Sequence, residues 1–137
     1  MIHYTSEDRI AQAISRFKAE QSGLWHRFED GSERERLSTG HQLNYDTQAI
    51  KAIVDNVSDD EASWIDWMEQ HSIHPLPLKY EYLAAKPQKA LASILKELCV
   101  YASVATSIQP VSAKMADAES QAWAERFRLS QPIKSGC

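Results

Sequence analysis

The stretch Ile2–Ser15, IHYTSEDRIAQAIS, decides how this chain is built. An apolar triplet, Ile2 to Tyr4, runs into Thr5-Ser6-Glu7-Asp8, then into a pattern with Ile10, Ile14 and Phe17 on one helical face. A strand, a hydroxyl-rich turn and a helix N-terminus in that order aim backbone N–H groups where a phosphate can meet them. The same order also starts an ordinary helix. Thr5 stands three residues before Asp8, the capping-box spacing, so the plain expectation is a Thr5 cap and a helix from about Glu7 to Ser22. Gly23 then ends it.

Working outward, Phe28–Asn44 is polar, holds two of the four glycines, and reads as a long surface loop. Asp46 is placed to cap a second helix. Ile50, Ile53, Val54, Val57, Trp64, Ile65 and Met68 recur at steps of three and four, which predicts one long helix to about Gln70. Ser58, with Glu61 three residues on, marks a place for a kink and restart. Trp64 and Trp67 are expected to point apart, one into the core and one to a contact surface. His74-Pro75 breaks the helix, and Leu76–Tyr80 alternates as a strand that Pro77 assigns to a sheet edge. Pro87 opens a third helix through Leu91, Ile94, Leu95 and Leu98. Tyr101–Pro110 fits a helix continuation or a loop equally well. A last helix, about Ala116 to Leu129, carries Trp123 and Phe127 four apart, and residues 131–137 are expected to be a frayed tail.

The chain of 137 residues is long enough for one domain that buries about two-thirds of its unfolded surface without disulfides or metals. Its net charge of −4 argues against a broad nucleic-acid face, which needs a basic excess. No run reaches the ~20 apolar residues of a membrane span. Met1 leads directly into polar sequence, so no signal peptide is expected. The two cysteines, Cys99 and Cys137, form no CxxC pair, and Cys99 in an apolar stretch is expected to be a buried thiol. These features together predict a cytoplasmic protein. His71 and His74 are three apart but lack further ligands at useful spacing, so no metal site is expected.

Three collinear stretches resemble the bacterial trehalose sulfotransferase-like family, whose members transfer sulfate from PAPS to a hydroxyl, often of a sugar. SEDRIAQAISRFKAEQSGLWHR is similar to its strand-to-helix segment, with an acidic-basic pair, Gln-Ala-x-Ser and a Gly-x-Trp ending. YDTQAIKAIV through ASILKEL resembles its long helix, following strand, Tyr-Glu turn and next helix. KMADAESQAWAERFRLS resembles its closing helix. The likeness covers residues 2–130 and only the C-terminal half of the family pattern. It implies an α/β but predominantly helical fold, a partial P-loop-like sulfotransferase with one long central helix and two short strands. The family's first strand, its Gly/Ser-rich loop around the 5′ phosphosulfate and its acidic general base have no counterpart. An arginine is expected just before Asp8, to grip a 3′ phosphate bidentately, but Thr5-Ser6-Glu7 stands there.

The resemblance names the candidate site residues. Thr5, Ser6, Ser15 and Lys114 are the candidates for the cofactor phosphate, with PAPS or PAP as the implied ligand. Trp25, His26 and Arg27 are the candidates for a sugar acceptor, since an aromatic face with hydrogen-bonding groups suits one. Each has a plainer expectation beside it: a cap at Thr5–Asp8, an outward Ser15, a surface Lys114, and a Trp25 that closes the core. No catalytic residue is assigned, and the expected function is a sulfotransferase-like fragment without complete catalysis. Two strands cannot make a stable sheet alone, and the helices of a half-fold leave apolar faces uncovered. Self-association as a homodimer is therefore expected, through helices or the open edges of Ile2–Tyr4 and Leu76–Tyr80, with a protein partner as the alternative.

Overall fold

A computed structural model describes residues 1–28, 30, 32–34, 42–110 and 117–131. Strand β1 spans Ile2–Thr5 and leads into helix α1, Arg9–Ser22. The expected cap is displaced by three residues. Asp8, not Thr5, caps α1, its carboxylate accepting from Ala11 N–H at 3.0 Å. Thr5 cannot leave the sheet to cap a helix, because it is the last residue of β1 and sits in the ladder opposite Lys79. At the other end Gly23 takes φ 69°, and its N–H closes onto the Ala19 carbonyl at 2.7 Å. Only glycine adopts that geometry without a Cβ clash.

A short antiparallel pair follows, β2 (His26–Arg27) with β3 (Glu33–Arg34); β3 lies inside the stretch expected to be loop, and β2 just before it. Helix α2 runs unbroken over Thr47–Gln70 from an Asp46 cap. Ser58 does not restart the helix: its hydroxyl donates to the Val54 carbonyl one turn back, at 2.8 Å, instead of capping a new N-terminus. Strand β4 (Leu76–Lys79) pairs parallel with β1, matching Ile2 to Leu76 and Tyr4 to Leu78. Helix α3 (Tyr80–Ala85) and helix α4 (Pro87–Glu97) follow, α4 with Pro87 in its first turn as expected. Ala102–Ser107 forms a 3-10 helix where the sequence left the class open. Helix α5 spans Ala118–Ser130 behind an Asp117 cap.

The core lies among α1, α2 and α5. Ile14 and Ile50 are fully buried and pack with Ala13, Ile53, Trp123, Ala124 and Phe127. Ile10 and Phe17 complete the α1 stripe read from the sequence. Lys18 ties α1 to α5: its ammonium reaches both Asp117 carboxylate oxygens (2.9 and 3.0 Å), Glu119 (2.8 Å) and the Ser120 hydroxyl (3.1 Å). It also stands 5.7 Å from the Trp123 ring centre. Burial would raise the Asp117 pKa, but hydrogen bonds from Lys18 and Ser120 outweigh it and bring the group to about 2.

Four apolar residues depart from expectation. Cys99 is exposed, at φ 56°, because it ends α4 in a left-handed turn. Trp25 is 46% exposed, and its neighbour Leu24 takes the buried position. Trp64 and Trp67 do not point apart: their rings meet edge to face at 5.7 Å, as residues three apart on a helix can. Both are exposed, and in the second half of α2 Met68 alone is buried. No helix among the described residues is long and apolar enough to cross a membrane.

Candidate anion-binding corner

Parallel pairing brings the C-terminal ends of β1 and β4 to the same side of the sheet. In α/β proteins that side is where ligands bind. Here it gathers Ser6, Glu7 and Asp8 after β1, Lys79 at the end of β4 and Glu81 just after it, Arg9 and Ile10 in the first turn of α1, Glu61 from α2 and Arg128 from α5. These line an open cleft of about 680 Å³.

The donors of this corner already face a carboxylate. The Ser6 hydroxyl donates to Glu81 Oε1 at 2.6 Å, and the Glu7 N–H donates to the same oxygen at 3.1 Å. The Ser6 bond lowers the Glu81 pKa most, against the opposing effect of burial, so the group stays ionised at neutral pH. Its other oxygen, Oε2, is shielded from solvent and has no partner among the described residues. Glu81 also helps raise the pKa of Tyr4, after burial and the nearby Tyr80. The first turn of α1 is served in the same way. Asp8 caps it through Oδ1 and takes Arg128 on Oδ2 at 2.8 Å. Arg9 is paired with Glu61. Four carboxylates (Glu7, Asp8, Glu61, Glu81) face three cations (Arg9, Lys79, Arg128), and both arginines are already paired.

The corner thus has the architecture of an anion site, a helix N-terminus beside converging N–H and O–H donors. Its electrostatics are reversed, with internal carboxylates on those donors. A profile of the Stf0 sulphotransferases matches residues 1–130 of the chain. The chain belongs to the Stf0 sulphotransferase family.

Two trehalose 2-sulfotransferases are similar to this Stf0 chain. The one from Mycobacterium tuberculosis is 26% identical over 131 residues, covering 96% of this chain and 46% of that protein. The one from Mycolicibacterium smegmatis is 26% identical over 128 residues, covering 93% and 45%. The chain spans less than half the length of the curated relatives it matches.

On this Stf0 chain the candidate residues do not converge on one place. Ser6 is at the corner, and Thr5 sits in the ladder just behind it. Ser15 is exposed on α1, about 9 Å along the axis from Arg9, and does not line the cleft. Trp25, His26 and Arg27 follow the far end of α1, which is about 21 Å long, so they are remote from Ser6. Lys114 lies outside the described residues. The residues that reading by motif missed are Glu81, Glu61 and Arg128. Glu81 sits in the Tyr-Glu turn that the resemblance marked. Glu61 and Arg128 join only through tertiary packing, on helices that periodicity alone does not orient toward Ser6.

Proposed function

We propose that this chain is the C-terminal part of a sulfotransferase fold, catalytically incomplete by itself, which associates as a homodimer. It keeps the geometry of a corner that would meet the 3′ phosphate of PAPS or PAP, with at most residual affinity for a nucleotide phosphate or a sugar. The observation that carries this reading is Glu81. Its carboxylate accepts from the Ser6 hydroxyl and the Glu7 N–H, the two donors a phosphate oxygen would use. A phosphate entering there displaces a carboxylate and meets an excess of negative charge, which costs several kcal/mol when like charges are juxtaposed.

The test is a titration with PAP followed by thermal unfolding. A ligand at a hundred times its dissociation constant stabilises by about 2.7 kcal/mol. The wild-type chain is expected to shift far less than that at millimolar PAP, and to transfer no sulfate from PAPS to trehalose. Glu81→Ala, which frees both donors and removes one negative charge, is expected to gain PAP-dependent stabilisation. A full shift in the wild type, or sulfate transfer by it, overturns the reading.

A second reading is favoured by the exposed Trp64, Ile65 and Trp67 of α2: an interaction module, or a subunit whose site another chain completes. That reading predicts sulfate transfer only when such a chain is added.

A further inference from the structure

Where two copies would meet follows from a comparison of two exposed apolar surfaces. The first is the second half of α2. Residues 58–70 contain Asp59, Asp60, Glu61, Asp66 and Glu69 and no lysine or arginine. Pairing this face with itself across a two-fold axis would set acid against acid. The second surface is the end of α4 and the 3-10 helix. Residues 98–110, LCVYASVATSIQP, carry no charge at all.

That second surface is held out by backbone geometry. The Cys99 N–H donates to the Lys96 carbonyl at 3.1 Å and the Val100 N–H to the Leu95 carbonyl at 2.8 Å. This is a Schellman closure with Cys99 in the left-handed position. It turns the chain sharply after Leu98, leaving Leu98 65%, Val100 49% and Tyr101 86% exposed. Tyr101 and Val104 (49% exposed) are three apart, so they align along the 3-10 helix, and Ile108 (46%) follows them. The Gln88 amide, donating to the Thr106 carbonyl at 3.2 Å, fastens the far end of the 3-10 helix back onto α4.

We infer that Leu98–Ile108 is the homodimer interface, its occupant a second copy of the same surface. The inference rests on the self-association proposed above and adds its location. Taking ~200 Å² for a tyrosine and ~100 Å² for an aliphatic side chain, the five side chains present about 400 Å² of apolar surface. A stable interface buries about 800 Å² per partner, of which about 520 Å² is apolar in a homodimer. The patch supplies about three-quarters of that, and its segment carries no charge of its own to repel a second copy.

The experiment is sedimentation of the whole chain under reducing conditions, to high micromolar concentration, with far-UV circular dichroism as the control for folding. The wild type is expected to dimerise. Tyr101→Glu and Val104→Glu alter exposed side chains, so each is expected to keep the wild-type spectrum. Each is expected to weaken the dimer about tenfold or more, the effect of losing one hot-spot contact. Trp64→Lys is expected to leave it unchanged. With Cys137→Ser as background, a short bis-maleimide is expected to link two copies through Cys99, and Tyr101→Glu to lower the yield of that link in step with the weakened dimer. A wild-type monomer overturns both the self-association and its location. A dimer that survives both glutamate variants, or that Trp64→Lys dissolves, overturns the location alone.

Discussion

Asp117 offers the sharpest quantitative test of how α5 is held. Its carboxylate caps α5, accepting from Ser120 N–H at 2.8 Å, and binds Lys18 of α1 with both oxygens. Moving a carboxyl from 3.8 to about 2 corresponds to about 2.4 kcal/mol at full strength. Half of the side chain is exposed (52%), so screening reduces the ion-pair share to about 1 kcal/mol. The cap contributes about 1 kcal/mol more. Asp117→Asn keeps a capping oxygen and loses the charge, so it should cost about 1 kcal/mol. Asp117→Ala loses both and should cost about 2 kcal/mol. Because the folded pKa is depressed, the charge-dependent share is fully present above the unfolded value near 3.8 and is lost as pH falls toward 2. Urea unfolding of wild type, Asp117→Asn and Asp117→Ala should therefore give the ranking above at pH 7. The difference between wild type and Asp117→Asn should shrink to a small fraction of its pH 7 value near pH 2. If that difference is the same at both pH values, or if the two variants are equally damaging at pH 7, the reasoning about Lys18 fails.

Other substitutions separate the remaining forces. Ile14→Ala empties a fully buried site between α1 and α2 and should cost about 2–5 kcal/mol in urea unfolding. Gly23→Ala forces a Cβ into a left-handed cap at φ 69° and should lower stability by about 1–2 kcal/mol, with a matching fall in melting temperature. Ser72→Gly runs the other way: Ser72 holds φ 52° after α2, so glycine should raise the melting temperature by relieving up to about 1 kcal/mol. Ser58→Ala should leave helicity and stability within about 0.5 kcal/mol, since it removes only a hydroxyl that folds back on its own helix.

The helices were legible because their signals are local. The α1 stripe of Ile10, Ile14 and Phe17, the Asp46 cap and the Pro87 start all stand within one or two turns of what they determine. The α1 cap was misplaced for a non-local reason. Thr5 and Asp8 both have capping chemistry, and only the ladder from Thr5 to Lys79, some seventy residues away, removes Thr5 from the choice. The left-handed ends of α2 and α4 carry Ser72 and Cys99 where glycine would have announced them. Hence the turn after α4, and the exposure of Cys99 that follows from it, left no mark in the sequence.

Apolar character does not imply an interior position here. Trp25, Cys99 and the Trp64–Trp67 pair are apolar and exposed, and in a chain that spans less than half of its relatives' length the two properties diverge most easily. The corner itself shows the limit from the other side. Its shape was readable from Ile2–Ser15, since strand, turn and helix are consecutive. Its charge was not, because Glu81, Glu61 and Arg128 arrive from three other helices. In the reading proposed above, the same backbone that would cradle a phosphate faces a carboxylate held by Ser6, and Glu81→Ala is the substitution that tests it. The charge at this corner is therefore set less by the motif that forms it than by the side chains that reach it from α2, α3 and α5.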